Sequence, residues 1–213
     1  HKVKLLFLNR VKDINKEILN YLPDIIAASV MTGLHKIIIK TLFEIKKTFP
    51  EIITIIGGPH PTFFPDVLKN NCVDAICRGE GEIPIVEFAN NIDNFKQSNF
   101  PHIKNIFYNI NSLTAEESDN FCGHLENLDN LHFPDREIYY EHKFMFEIPT
   151  RAVIAGRGCP YKCNFCFNEK YTELFGTKGY CRLRTPQNII SEMKGIIAEY
   201  PTTSFHFMDD TFI

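Results

Sequence analysis

Short apolar runs alternate with stretches of helical period along the first half of the chain. Residues 3–8 form an apolar run too short for a helix and predict a strand, whereas residues 13–21 predict a short amphipathic helix. Residues 24–29 predict a buried strand, and Thr32 is placed to cap a longer helix that extends to about Thr48. Because buried strands separated by helices are typical of sheets covered on both faces, the pattern predicts a parallel α/β sheet.

The same alternation continues through two more apolar runs. Residues 52–56 predict a further strand, and residues 74–77 predict another, followed by a helix to about residue 91. Residues 103–110 have the composition of one more strand, although the pattern around them is irregular.

A connector is predicted where the pattern loosens, from about residue 95 to residue 150. Its leucine-spaced run leads to Pro134, which forbids a continuing helix, so we expect an extended segment packed through its leucines. Cys122 and His124 lie close together there, but a pair without further ligands is usually incidental, and we assign them no role.

Beyond the connector the order of elements becomes that of a barrel. Residues 152–155 predict a short strand, and residues 169–175 predict a helical turn. Pro186 is placed in the first turn of a helix that extends to about Tyr200, and residues 204–208 predict the next strand. Strand, loop, helix and strand make the first unit and a half of a parallel barrel, in which functional residues lie at the carboxyl ends of strands.

Composition narrows the class of protein. The 213 residues are 44% hydrophobic and carry a net charge of −3, which gives no positive surface for coating a nucleic acid. No apolar run approaches the roughly 20 residues of a membrane span. Seven cysteines, an odd number, are not typical of a disulfide framework and indicate a reducing, cytoplasmic interior. The chain begins at His1 and ends just after a strand-like run, so we expect it to be part of a longer protein.

Three of the cysteines are concentrated in one loop. Cys159, Cys163 and Cys166 fall within eight residues, too few for a helix face or a strand to present all three sulfurs. Thiolates are soft ligands suited to zinc or iron–sulfur clusters, and a structural zinc would need a fourth ligand. Three thiolates on a four-iron cluster leave one iron open for a substrate, which is the interpretation we favour. Cys181 falls outside this spacing and is interpreted as structural.

Glycines and small hydroxyl residues recur after three of the predicted strands, in residues 29–33, 57–62 and 78–82. Doubly wound sheets bind their ligands outside the carboxyl ends of the strands, and paired glycines let a flat ligand approach the backbone. The alternative is that each loop is merely a tight turn from strand to helix. Three such loops at one edge favour a ligand site.

Residues 23–29, 57–62 and 78–82 also resemble the cobalamin-binding domain that precedes many radical S-adenosylmethionine (radical SAM) enzymes. By this resemblance residues 3–8 match the family's second strand, so its first strand and helix are missing. The Asp-x-His-x-x-Gly motif of other cobalamin proteins is absent, and His60 is not expected to ligate cobalt. The residues that the resemblance implies as cobalamin contacts are Ser29, Met31, Thr32, Gly33, Gly57, Gly58, His60, Thr62, Gly79, Glu80 and Gly81.

The cysteine spacing, three residues and then two, resembles the radical SAM signature, with an aromatic residue before the last cysteine. The resemblance implies that the three cysteines hold a 4Fe–4S cluster whose fourth iron chelates S-adenosylmethionine. Asp209 and Asp210 stand where many members carry a Gly-Gly-Glu segment that meets the methionine amino group, and solvated strand-end residues are the alternative. The implied contacts to S-adenosylmethionine are Tyr161, Phe165, Asp209 and Asp210.

The resemblance therefore implies an α/β fold in three parts. Residues 1–95 would form a Rossmann-like, flavodoxin-like parallel-sheet domain, residues 96–150 a connector, and residues 151–213 the truncated start of a radical SAM partial (β/α) TIM barrel.

The activity implied by the family is reductive cleavage of S-adenosylmethionine to a 5′-deoxyadenosyl radical, most often for methyl transfer to an unactivated carbon. Two alternatives stay open, a rearrangement or cyclisation on the same architecture and a non-catalytic iron–sulfur or metal-binding module. The expected partners are a small-molecule or natural-product substrate and a low-potential reductant such as flavodoxin or ferredoxin, with no nucleic acid. Because later barrel strands shape the substrate pocket, we expect the chain alone to be inactive.

Overall fold

The structure is a computed structural model that describes residues 1–109, 125–175 and 181–212. Cys122 and His124 lie outside the described residues. The chain divides into two compact units, one made of His1 and Phe7–Cys122 and the other of Lys2–Leu6 and Gly123–Ile213. None of the helices in the described ranges has the length and apolarity needed to cross a membrane.

A mixed four-stranded sheet with helices forms the first unit. The strands follow the order β1-β2-β3-β4; the first three are parallel, and β4 runs antiparallel to β3. This arrangement confirms the predicted Rossmann-like α/β class. The elements are α1 (Ile14–Tyr21), β1 (Ile25–Ser29), α2 (His35–Thr48), β2 (Ile53–Gly57), α3 (Pro59–Phe63), a 3-10 turn (Pro65–Lys69), β3 (Ala75–Cys77), α4 (Glu82–Asn90), α5 (Ile92–Lys96) and β4 (Ile106–Tyr108).

The two central strands carry the core of this unit on both faces. Every residue of β3 and the first four residues of β2 are buried, which is typical of strands covered by helices on each side. One face packs Ile56 and Ile76 against Leu42 and Ile45 of α2. The opposite face packs Ile53, Ile55 and Ala75 with Phe88 of α4 and Ile106 of β4.

Two predictions about the start of the chain are wrong. Residues 3–8 are not a strand; the backbone turns at Phe7, whose carbonyl accepts from the N–H groups of Arg10 and Val11. An apolar run becomes a strand when another strand completes its ladder, and β2 is the one strand paired with β1 among the described residues. For the same reason β1 is a half-exposed edge strand and not the buried one that its apolar composition predicts.

One helix start has a side-chain cap that was not predicted, and the cap predicted for another helix is wrong. Asp13 caps α1, because its carboxylate accepts from the Lys16 N–H at 3.1 Å. Thr32 does not cap α2, which begins at His35 with Leu34 in the cap position and without a side-chain cap bond. The hydroxyl of Thr32 contacts His60 instead.

The second unit contains the first repeat of a parallel barrel, as predicted. Strands β5 and β8 are parallel and are joined through the cysteine loop and helix α9, and a short antiparallel pair, β6 with β7, lies between them in sequence. The elements are a 3-10 turn (Leu128–Asn130), α6 (Glu137–Tyr140), α7 (Lys143–Phe146), β5 (Thr150–Val153), β6 (Gly156–Gly158), α8 (Phe167–Phe175), β7 (Cys181–Leu183), α9 (Pro186–Glu199) and β8 (Ser204–Phe207).

The strand predicted at residues 152–155 lies two residues earlier because Arg151 is buried within it. Only 1% of the Arg151 surface is exposed, and its guanidinium donates to the carbonyls of Met145, Phe146 and Pro201. A charged side chain in a short apolar run argues against a strand unless such partners exist. The β6–β7 pair was not predicted either.

A buried ion-pair cluster joins the connector, α9 and β5. Glu192 of α9, 3% exposed, accepts from Arg136 at 2.7 Å and from Arg184 at 2.6 Å. The same two guanidinium groups donate to the carbonyls of Ala152 and Ile154. One carboxylate thus fixes two arginines that hold the carboxyl end of β5, from which the chain leads through β6 to the cysteine loop.

Candidate functional site

In the first unit, the loops that follow β1 and β2 are hydrogen-bonded to each other. The Val30 N–H donates to the Gly57 carbonyl at 2.8 Å, and the His60 N–H donates to the Val30 carbonyl at 2.9 Å. Two of the three loops that the sequence singled out therefore lie together at the carboxyl edge of the sheet, as parallel strands require.

Gly58 is required at the closest point between these loops. Its backbone has φ +92° and ψ −169°, a region populated almost only by glycine. A Cβ atom there would lie 2.9 Å from the Ser29 hydroxyl oxygen and 3.1 Å from the Val30 nitrogen. The sequence predicted that paired glycines let a ligand approach the backbone. At Gly58 the glycine instead lets the second loop approach the first loop at Ser29 and Val30.

His60 is held on several sides. Its ring stacks on His35 with centroids 4.1 Å apart and on Phe64 at 5.2 Å, and its Nδ1 is 3.2 Å from the Thr32 hydroxyl. Burial lowers the pKa of His60 below its usual value, and neighbouring His35 adds to the effect. These contacts give His60 a structural role between the first two loops.

Thr62 connects the second loop to the third. Its hydroxyl donates to the Gly58 carbonyl at 2.8 Å and accepts from the Gly79 N–H at 3.0 Å. Its carbonyl accepts from Nε and Nη2 of buried Arg78 at 3.2 and 3.1 Å. Arg78 was not among the predicted site residues, although an arginine directly after a buried strand is the signal that could have indicated it.

The residues predicted to contact cobalamin thus stand on one edge of the sheet but differ in exposure. His60 and Thr62 are buried and occupied by contacts within the loops. The glycines of the second and third loops, with Glu80, are half-buried, and the exposed members are Ser29, Met31, Thr32 and Gly33. Contact with cobalamin stays a prediction for each of them.

In the second unit, the cysteine loop connects β6 to α8. Cys159 directly follows Gly158 of β6, and the Cys166 N–H donates to the Cys163 carbonyl at 2.9 Å, which closes a turn around the last two cysteines. All three are free thiols; Cys163 is exposed, and Cys159 and Cys166 are half-buried. Within the described residues, no three His, Cys, Asp or Glu side chains are arranged to hold a metal ion.

The donor set nevertheless fits a cluster better than a structural zinc. It consists of three unpaired thiols on one short loop, and three thiolates satisfy three irons of a four-iron cluster. Two neighbouring side chains contact these sulfurs: the Thr211 hydroxyl donates to Cys159 Sγ at 2.8 Å, and Asn168 Nδ2 donates to Cys166 Sγ at 3.7 Å.

Known proteins match this chain over both units. Residues 1–89 match the family model of the B12 binding domain. The chain is 28% identical over 204 residues to the uncharacterized methyltransferase PH0819 of Pyrococcus horikoshii, covering 94% of this chain and 42% of that protein. It is also 28% identical over 209 residues to an anaerobic magnesium-protoporphyrin IX monomethyl ester cyclase of Rubrivivax gelatinosus, covering 92% of this chain and 35% of that one.

A solved structure resembles the fold of the chain. The radical S-adenosylmethionine methyltransferase TsrM of Kitasatospora setae, determined with tryptophan substrate and a SAM analog bound, superposes with a TM-score of 0.64 at 14% identity, over 93% of this chain and 40% of that one. Residues 1–89 therefore form a B12 binding domain, and the chain as a whole resembles the radical SAM enzymes that carry such a domain. The family resemblance and fold class predicted from the loops and the cysteine spacing are therefore confirmed.

The chain spans less than half the length of the relatives it matches. Its predicted S-adenosylmethionine contacts fall into two groups. Tyr161 and Phe165 project from the cysteine loop, and 94% of the Phe165 surface is exposed. Asp209 is half-buried, and Asp210 is exposed.

Asp209 has a structural role that its position as a strand-end residue had left open. Its two carboxylate oxygens accept from the N–H groups of Ala155, at 3.1 Å, and Gly156. The carboxylate therefore joins the end of β8 to the segment that leads into the cysteine loop. Contact of Tyr161, Phe165, Asp209 or Asp210 with S-adenosylmethionine stays a prediction.

Proposed function

We propose that the protein is a cobalamin-dependent radical SAM enzyme that cleaves S-adenosylmethionine reductively to a 5′-deoxyadenosyl radical and transfers a methyl group to an unactivated carbon. What carries the proposal is the loop of three free thiols that follows β5 and β6 at the start of the barrel, in one chain with a B12 binding domain.

In this proposal Cys159, Cys163 and Cys166 hold three irons of a 4Fe–4S cluster, and the three loops at the edge of the first unit's sheet hold cobalamin. When bound, the cluster supplies a low-potential electron and cobalamin supplies the methyl group. The protein's own residues position these groups: Asp209 fixes the start of the cysteine loop, and exposed Phe165 provides a flat apolar surface for the adenine ring.

A second candidate is a rearrangement or cyclisation on the same architecture. The observation that favours it is the similarity to the cyclase of Rubrivivax gelatinosus, which is as high as the similarity to the methyltransferase of Pyrococcus horikoshii. A third candidate is a non-catalytic module with an electron-transfer cluster or a structural metal.

The partners belong to the proposal as well. We propose a small-molecule substrate, an external low-potential reductant such as flavodoxin or ferredoxin, and a cytoplasmic location that keeps the thiols reduced.

Anaerobic iron and sulfide quantitation with electron paramagnetic resonance tests the proposal. We expect about four irons per chain and a reduced spectrum that changes when S-adenosylmethionine is added. The Cys163→Ala variant should lose iron without loss of folding because Cys163 is exposed, whereas Cys181→Ala, outside the spacing, should keep it. Zinc in place of iron, or a spectrum indifferent to S-adenosylmethionine, would favour the non-catalytic module.

Product analysis separates the two enzymatic candidates. A methyltransferase consumes S-adenosylmethionine both as radical source and as methyl source, so S-adenosylhomocysteine accumulates beside 5′-deoxyadenosine. A rearrangement or cyclisation gives 5′-deoxyadenosine alone. Because the matched region covers only 42% and 35% of these relatives, we expect multiple turnovers only from a protein of the relatives' length.

A further inference from the structure

Two uncharged side chains from different parts of the second unit donate hydrogen bonds to cysteine sulfurs. The Thr211 hydroxyl lies 2.8 Å from Cys159 Sγ, and Asn168 Nδ2 lies 3.7 Å from Cys166 Sγ. The Thr211 contact is short for a hydrogen bond to sulfur, whose radius is larger than that of oxygen, whereas the Asn168 contact is longer.

The position of Thr211 is fixed by hydrogen bonds of the residues just before it. The Met208 N–H donates to the Val153 carbonyl at 2.9 Å, and the Asp209 carboxylate accepts from Ala155 and Gly156. Three hydrogen bonds therefore hold the segment after β8 against the segment that leads to Cys159. This packing brings Thr211 to Cys159.

Asn168 is fixed by burial in the first turn of α8. Only 5% of the Asn168 surface is exposed, and the backbone carbonyl of Asn168 accepts from the Thr172 hydroxyl at 2.9 Å. A buried side-chain amide needs partners for its N–H groups, and Cys166 Sγ is one of them.

We propose that Thr211 and Asn168 set the reduction potential of the cluster held by the cysteine loop, an inference that rests on the proposed function. One-electron reduction adds a negative charge to the cluster and its thiolates. Hydrogen bonds to the sulfurs stabilise this more negative state and raise the reduction potential. Thr211 and Asn168 are positioning residues, because they act through the sulfurs of Cys159 and Cys166.

A redox titration followed by electron paramagnetic resonance measures the effect directly. The test compares the purified protein with Thr211→Val, which removes the hydroxyl and keeps the branched shape, and with Thr211→Ser, which restores a donor. We expect Thr211→Val to lower the equilibrium constant for one-electron reduction of the cluster by roughly tenfold, which shifts the reduction potential by about 59 mV to a more negative value. Thr211→Ser should recover most of this shift.

Matched controls separate the donor from the substitution. Thr202→Val makes the same change at a hydroxyl that donates to the Tyr200 carbonyl, at the opposite end of β8 from Thr211. This control should leave the potential unchanged. Asn168→Leu should shift the potential in the same direction as Thr211→Val, by less because its contact is longer.

The outcomes distinguish this inference from the proposed function. If the unmodified protein binds no four-iron cluster, the proposed function fails. If it binds the cluster and Thr211→Val has the same potential as the unmodified protein, the inference alone is rejected. Should Thr211→Val take up too little iron, Thr211→Ala and Thr211→Ser are compared, and equal potentials in that pair reject the inference too.

Discussion

Replacing Gly58 by alanine tests whether the loops of the first unit depend on their close approach. The backbone of Gly58, at φ +92° and ψ −169°, costs an L-residue about 1–3 kcal/mol. The new Cβ would in addition lie 2.9 Å from the Ser29 hydroxyl and 3.1 Å from the Val30 nitrogen, an overpacking that costs about 1–3 kcal/mol. We expect a loss of about 3 kcal/mol from the free energy of unfolding of this unit.

Gly33→Ala is the matched control. Gly33 also has a positive φ, +101°, but no atom lies within 4 Å of its added Cβ, so this substitution carries backbone strain without the steric contact. We expect a loss of about 1 kcal/mol there. Both variants gain equally from the smaller conformational entropy of the unfolded chain, so the difference between them isolates the approach of Gly58 to Ser29 and Val30.

The assay combines urea unfolding with hydrogen exchange. Far-UV circular dichroism gives the free energy of unfolding, and exchange in peptides that contain β1 and β2 assigns the loss to the first unit. Equal losses in the two variants would refute the steric part of the reasoning, and a loss below about 1 kcal/mol for Gly58→Ala would refute the backbone part as well.

Three further predictions concern stability. Gly195→Ala should raise the free energy of unfolding, measured in urea, by about 0.5–1 kcal/mol. Gly195 lies inside α9, and open space surrounds its added Cβ. An unchanged free energy of unfolding would contradict the helix assignment. Glu192→Gln should lower the free energy of unfolding by about 3 kcal/mol, because two arginines lose their charged partner. An unchanged free energy of unfolding would show that solvent compensates the two arginines. Folding lowers the pKa of His60, so its neutral form favours the folded state. This contribution to stability is complete above about pH 6.5 and is lost as the pH falls below that value. His60→Gln should flatten this slope, and an unchanged slope would assign it to other groups.

Elements that bury one apolar stripe or run could be predicted from the sequence. Helix α2 and strand β2 have enough consecutive or periodic apolar residues to form their side of the core, and both lie close to the predicted positions. The strand around Arg151 was displaced because a buried guanidinium depends on carbonyls that come from other parts of the chain. Residues 3–8 failed for the opposite reason, since apolar composition cannot show whether a neighbouring strand is present.

In the candidate site too, features made by neighbouring residues could be predicted, and contacts between residues far apart in sequence could not. The cysteine spacing is local, so the loop could be recognised from eight consecutive residues. Thr211 lies 52 positions from Cys159, and only folding brings its hydroxyl to that sulfur. Likewise the link between the second and third loops through Thr62 and Arg78 depends on atoms that the sequence does not place.

The attachment of the connector to the second unit has a consequence for dissecting the protein into pieces. A piece cut at Thr150 would lose Arg136, one of the two arginines that neutralise Glu192, and would lose Asp129, whose carboxylate accepts from the Thr185 N–H at 3.0 Å. A protease that nicks the chain just before β5 should therefore destabilise α9, although it would cut no residue of that helix. The shortest autonomous version of this unit should include the connector from Leu125 onward, whose carbonyl accepts from Arg182.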